Sequence, residues 1–235
     1  MSPLEKIQTR SGVLSPVAAY MRQVYTWMCI GMAITAVMAY GVAGSPGIRN
    51  AIYQNSIIMI LLVVAQFGLV IALSAAIHKM SAPLATGLFL LYSALTGLTV
   101  SSIFIVYPIA TIGSAFFVTC GMFGAMSLYG TITKRDLTGM GNFLFMGLIG
   151  IIIAMIVNIF LKSTMMNFIV CCLGVLIFTG LTAYDTQKLR AFGENAPLDD
   201  PQAIRRGAIL GALTLYLDFI NIFLMLLQLF GGNRD

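Results

Sequence analysis

Charge is what this sequence has least of. Only 9% of its 235 residues are Asp, Glu, Lys or Arg, where a soluble domain carries about 25%. With 59% hydrophobic residues, the chain lacks the polar residues to clothe a water-facing globule, and that excludes a soluble fold. Histidine occurs once, as His78, and tryptophan once, as Trp27. One histidine rules out HExxH-type metal sites, and no Ser/His/Asp or Cys/His arrangement is present. A P-loop and a GxGxxG turn before a helix are absent as well. Nothing here argues for an enzyme. Cys29, Cys120, Cys171 and Cys172 lie inside apolar runs with no CxxC spacing, and read as small core residues. Alternating segments of roughly 10 residues are missing, which excludes a transmembrane barrel. The N-terminal segment lacks the apolar core of a signal peptide.

What the sequence has instead is long apolar runs, several reaching the roughly 20 residues that a membrane helix needs. Seven spans are expected: Val24–Ala43, Ile57–Ile77, Pro83–Val106, Ile109–Tyr129, Gly141–Leu161, Asn167–Leu189 and Leu210–Phe230. Met1–Gln23 is a polar tail, and residues 24–235 form one all-α, seven-helix membrane domain with no room for a soluble one. Gly130–Gly139 and Arg190–Arg206 are expected as polar loops. The turn Gly44–Gly47 and Pro108 separate their neighbouring spans.

Seven spans put the termini on opposite sides. One side then collects Lys6, Arg10, Arg22, Lys79, Lys134, Arg135, Lys188, Arg190, Arg205 and Arg206, and the other Arg49, Lys162 and Arg234. The positive-inside rule makes the first side, and the N-terminus, cytoplasmic. The formal net charge of +5 is therefore loop charge that sets orientation, not a nucleic-acid surface. Glycines at 87, 97, 121, 124, 147, 150, 174 and 180 read as close-packing positions.

Of eight acidic residues, only Asp185 and Asp218 fall inside spans, the sixth and the seventh. An ionisable group at the bilayer centre costs at least about 2.5 kcal/mol, so each needs a partner. Consecutive spans are antiparallel neighbours, and two carboxylates on facing helices can meet. Gly211, Thr214, Asp218, Asn221 and Gln228 lie on one stripe of the seventh span, and Thr182, Asp185 and Lys188 on one of the sixth. Two carboxyl groups in contact share a proton and titrate as a unit. Protonated, they clasp the helices together. Deprotonated, they repel and offer hard oxygen ligands suited to Ca²⁺. His78 is a further pH-sensing candidate at a helix end.

The segments SALTGLTVSSIF (Ser93–Phe104), GLTAYDTQKL (Gly180–Leu189) and LGALTLYLDFINIFLMLL (Leu210–Leu227) resemble the Bax inhibitor, or transmembrane Bax inhibitor motif, family, in the style of its YccA-like and YetJ-like bacterial members. The resemblance covers the chain after Val24. It implies six helices packed around a central C-terminal helix in a bacterial inner membrane. It also implies a pH-sensitive leak for Ca²⁺, with no cofactor other than the transported ion. The di-aspartyl pH sensor would fall on Asp185 and Asp218, the same two residues that the spans single out, where transient Ca²⁺ ligation is expected with Thr182, Thr214 and Asn221 as the supporting polar stripe. A basic latch near the start of the third span would fall on Lys79 or His78, since no arginine stands there. Lysine lacks the bidentate fork of arginine. YccA-like members are associated with a membrane quality-control protease, so the alternative is a regulatory partner that conducts nothing.

Overall fold

The computed structural model describes residues 16–196 and 200–232. Among them are helices and turns and no strand. The helices are α1 (Pro16–Ala43), α2 (Pro46–Tyr53), α3 (Ser56–Ala76), α4 (Ala82–Val100), α5 (Ile103–Val106), α6 (Ile109–Ile132), α7 (Thr138–Leu161), α8 (Thr164–Glu194) and α9 (Pro201–Gly231). A 3₁₀ turn, Ile77–Lys79, ends α3. Seven stretches are long and apolar enough to cross a membrane: α1, α3 with its 3₁₀ turn, α4 with α5, and α6 to α9 singly.

The helix starts follow from local chemistry. Asn55, Ser81, Ser163 and Asp200 each turn a side-chain oxygen onto a free N–H of the first turn. Proline stands in the first turn of α2, α4 and α9, where its missing N–H costs nothing. Lys162 ends α7 in the left-handed conformation, its N–H bonded to Asn158 O.

The C-terminal helix α9 is the centre. It packs against α8, α1, α6 and α4, and 72% of its apolar window is buried. The helices α3 and α7 lie outermost, on α4 and α8 respectively, and only 6% of each window is buried. Their exposed residues, such as Ile57, Phe67, Phe143 and Phe160, are what a lipid-facing surface requires.

Three boundaries differ from the sequence expectation. Helix α1 begins at Pro16 and takes in the last eight residues of the expected tail, because Tyr20 is buried against Phe192, Gly193 and Gly207. The first fifteen residues of that tail lie outside the described residues. The loop Arg190–Arg206 is mostly helix: α8 runs on to Glu194, where Arg190 pairs with it at 3.0 Å, and α9 starts at Pro201. Polarity there marks helix ends emerging from the bilayer, not loss of helix. Third, the expected turn Gly44–Gly47 runs into a short helix, Pro46–Tyr53, in the stretch before the second span.

Candidate functional site

Asp218 sits near the middle of α9, 4% exposed, and its Oδ2 has no hydrogen-bond partner. A buried carboxyl oxygen without a partner costs roughly 1–3 kcal/mol. Asp185 is half-buried on α8. The two helices meet through small residues. A Cβ on Gly211 would touch Leu189, and Gly174 is covered by Met225.

These contacts fix the register. Four residues back from Leu189 is Asp185, and seven beyond Gly211 is Asp218. The two Asp Cα atoms are therefore offset by three residues, roughly 4.5 Å along the axis. That offset suits contact, because Cα–Cβ bonds tilt toward each helix's N-terminus. In an antiparallel pair with this stagger, the two carboxyls lean toward one another. No hydrogen bond joins them, and one oxygen of Asp218 is left without a partner. Lys188 follows Asp185 by three residues on α8, and its Nζ lies 5.9 Å from the centre of the Tyr184 ring.

The other expected residues do not converge on Asp218. Thr182 Oγ1 donates to Phe178 O at 2.8 Å, Thr214 Oγ1 to Leu210 O at 3.1 Å, and Asn221 Nδ2 to Leu217 O at 2.8 Å. Each satisfies its own helix. Gln228 instead accepts from Cys171 Sγ at 3.6 Å. His78 and Lys79 are exposed on the 3₁₀ turn, and neither forms an ion pair among the described residues. The residues that engage the start of the third span come from α9. Arg206 donates to Met80 O at 3.4 Å, and Gln202 Oε1 accepts from Ala82 N–H at 3.3 Å.

Sequence reasoning missed several buried hydroxyl groups around the pair. Tyr25 OH bonds Ser127 Oγ, which lies 3.2 Å from Thr186 Oγ1, next in sequence to Asp185. Arg190 donates to Thr131 O. On the other flank of α9, Tyr216 OH bonds Thr35 Oγ1 at 2.6 Å, and Thr35 donates to Ser93 O at 2.9 Å. Thr179 Oγ1, like Asp218 Oδ2, is buried without a partner. The signal was the presence of hydroxyl residues inside apolar spans, but spacing alone does not say which neighbour they face. No cluster of three or more His, Cys, Asp or Glu side chains occurs among the described residues. A cation at the pair would take two carboxylates plus neutral oxygens.

Residues 17–235 match the family model described as "Inhibitor of apoptosis-promoting Bax1". The chain belongs to the Bax inhibitor family. Within this family it is 55% identical over 228 residues to "Inner membrane protein YbhL" of Escherichia coli K12, covering 97% of this chain and 96% of that one. It is 47% identical over 216 residues to a protein of Borreliella burgdorferi, covering 92% and 93%. A Deinococcus radiodurans protein is 42% identical over 227 residues, covering 97% and 96%. As a Bax inhibitor family protein with seven membrane-length helices, the chain is a multi-pass membrane protein.

Proposed function

We propose that this protein is a pH-sensitive leak for Ca²⁺ in a bacterial inner membrane, controlled by the Asp185–Asp218 pair. The observation that carries the reading is Asp218: a carboxyl group buried in the central helix, with one oxygen unpartnered, on a helix packed against the one that bears Asp185. Stability alone gives no reason for such a group, because burying an unpaired charge is costly.

When the pair holds one shared proton, the hydrogen bond clasps α8 to α9 and the bundle is closed. When the proton leaves, two like charges in a poorly hydrated setting repel, and they become hard oxygen ligands for a passing Ca²⁺. Flux therefore rises with pH through the titration of the pair. The bundle end that carries eight of the ten basic residues among the described ones faces the cytoplasm, as positive residues are retained there. Ca²⁺ and H⁺ are the ligands of the site, and the lipid bilayer is its surroundings.

The test is Ca²⁺ uptake by liposomes holding the purified protein, from about pH 5 to about pH 8. Asp218→Asn and Asp185→Asn keep the side-chain shape and remove the shared proton. Each should flatten the pH profile. Flux that keeps its wild-type pH dependence in both variants would refute the reading.

A further inference from the structure

A groove of about 570 Å³ runs along α1, lined by Arg22, Tyr25, Thr26, Cys29, Ile30 and Ala33. The spacing puts all six on one face of the helix. All but Tyr25 are exposed. Tyr25 is fixed by its hydroxyl, which bonds Ser127 Oγ on α6. The chemistry of the lining changes along its length. A guanidinium stands at one end, the Tyr25 and Thr26 hydroxyl groups follow, and Cys29, Ile30 and Ala33 are apolar. Arg22 and Ala33 are eleven residues apart, roughly 16 Å along the axis. That is about half of the roughly 30 Å hydrocarbon core, the depth of one leaflet.

Any outward helix face of a membrane protein meets acyl chains. The charged end is what sets this one apart. The Arg22 guanidinium forms no ion pair and no hydrogen bond among the described residues; only its main-chain carbonyl is used, by Thr26 Oγ1 at 2.7 Å. Arg22 stands just before Val24, where the apolar run begins, so its fork is free at headgroup depth. More positive charge gathers at this end of the bundle. Arg190 is held on Thr131 O, four residues beyond Ser127 on α6, and Lys134 and Arg135 follow the end of that helix. The opposing charges are Glu194, paired with Arg190 at 3.0 Å, and Asp136. Cationic residues are in excess. Arginine suits a phosphate because its planar fork donates two parallel bonds. Basic pockets beside membrane helices bind anionic headgroups in this way.

We infer that the α1 groove is a site for an anionic phospholipid, its phosphate on Arg22 and one acyl chain along Cys29, Ile30 and Ala33. A charge at headgroup depth that gives way to an apolar channel one leaflet long matches that class of molecule from end to end. The site lies apart from the carboxyl pair and does not depend on the reading of that pair.

The chain's single tryptophan, Trp27, stands on α1 next to Thr26 and serves as the reporter. The full-length protein is placed in bilayers of phosphatidylcholine, and Trp27 fluorescence is followed as brominated phosphatidylglycerol replaces it, bromine being a contact quencher. Brominated phosphatidylcholine with the same chains is the reference. Phosphatidylglycerol should bind more tightly than phosphatidylcholine in the wild type. Arg22→Gln should weaken its binding by roughly 5-fold, the contribution of one basic residue at an anionic membrane surface. Arg49→Gln, at the other end of the bundle, should leave it unchanged. Ala33→Phe fills the apolar end and should weaken both lipids while leaving Arg22 in place. Equal quenching by the two lipids in the wild type shows ordinary contact with the bilayer and overturns the inference. So does an Arg22→Gln protein that keeps the preference, or one that loses no more of it than Arg49→Gln. Lipid quenching does not read Ca²⁺ flux, so a failure here and a failure of the carboxyl-pair leak are separate results.

Discussion

Gly130 offers the sharpest test of how the helix bearing Asp185 is held. It lies on α6 against the backbone of Ala183, two residues from Asp185 on α8. A methyl group built there would stand 3.0 Å from the Ala183 carbonyl carbon and 3.1 Å from its Cα, and closer still to its carbonyl oxygen. Carbon atoms prefer separations of about 3.5–4.0 Å, so in Gly130→Ala the two helices must part by roughly 0.5–1 Å. The obstacle is backbone, and no side chain can swing away. Two bonds bridge the same contact, Ser127 to Thr186 at 3.2 Å and Arg190 to Thr131 O, and both stretch when it opens.

Overpacking of this kind costs about 1–3 kcal/mol. At about 2–4 °C per kcal/mol for a chain this size, the melting temperature in detergent should fall by about 2–12 °C. The same helix supplies the controls. Methyls at Gly121 and Gly124 meet nothing within 4 Å. Gly121→Ala and Gly124→Ala should be neutral or stabilising by up to about 1 kcal/mol, since Ala is the better helix former. A Gly130→Ala protein that melts with Gly124→Ala would refute the close approach of α6 and α8.

Tyr216→Phe removes the 2.6 Å bond to Thr35 but keeps the edge-on packing against Phe89 and Tyr92. Thr35 retains Ser93 O, so chemical or thermal denaturation should register a loss of only about 0.5–1.5 kcal/mol. Asp200→Ala deletes an N-cap that accepts from Gln202 N–H and Ala203 N–H and should cost about 0.5–2 kcal/mol in the same assay. Asp136, in the exposed turn before α7, is held below the usual carboxylate range by the Thr138 hydroxyl and main-chain N–H. Its charge therefore persists as the medium is acidified, and Asp136→Asn should leave the pH profile of Ca²⁺ flux where wild type has it. A shifted profile would move the sensor out of the membrane.

Much of the fold could be read from the sequence, because a bilayer asks for apolar runs of fixed length. Seven of them stand in the chain. The helix ends were less legible. The stretch Arg190–Arg206 reads as loop by polarity alone, yet an i, i+4 pair at Arg190–Glu194 and the Asp200 cap keep most of it helical. The glycines divide for a reason that spacing does not carry. Gly97, Gly147, Gly174 and Gly180 are covered by a neighbouring helix, whereas Gly87, Gly121, Gly124 and Gly150 meet nothing within 4 Å. Asp185 and Asp218 were visible because carboxylates are so rare in such spans. Their surroundings were not. Thr182, Thr214 and Asn221 share helix faces with the pair but bond their own backbones, whereas Ser127 and Thr35 come from other helices.

The two halves of the carboxyl pair are not held equally, and this bears on what would move if they repelled. Asp185 is bracketed on α8 by the backbone contact of Ala183 with Gly130 and by the Tyr184 ring seated on Gly141 of α7. For α8 to retreat, helices would have to shift past one another. Beside Asp218, α9 meets α6 through rings: Phe219 lies edge-on to Phe116 at 5.7 Å and to Phe123 at 5.5 Å. Rings can turn without moving a backbone. On the proposed mechanism, then, the repulsion is relieved from the α9 side while α8 serves as the fixed wall. Gly130→Ala loosens that wall and should alter the pH response of Ca²⁺ flux as well as the melting temperature, while Gly124→Ala leaves the response alone. A Gly130→Ala protein that melts lower but keeps the wild-type pH response would show that the rigidity of α8 is not what the pair pushes against.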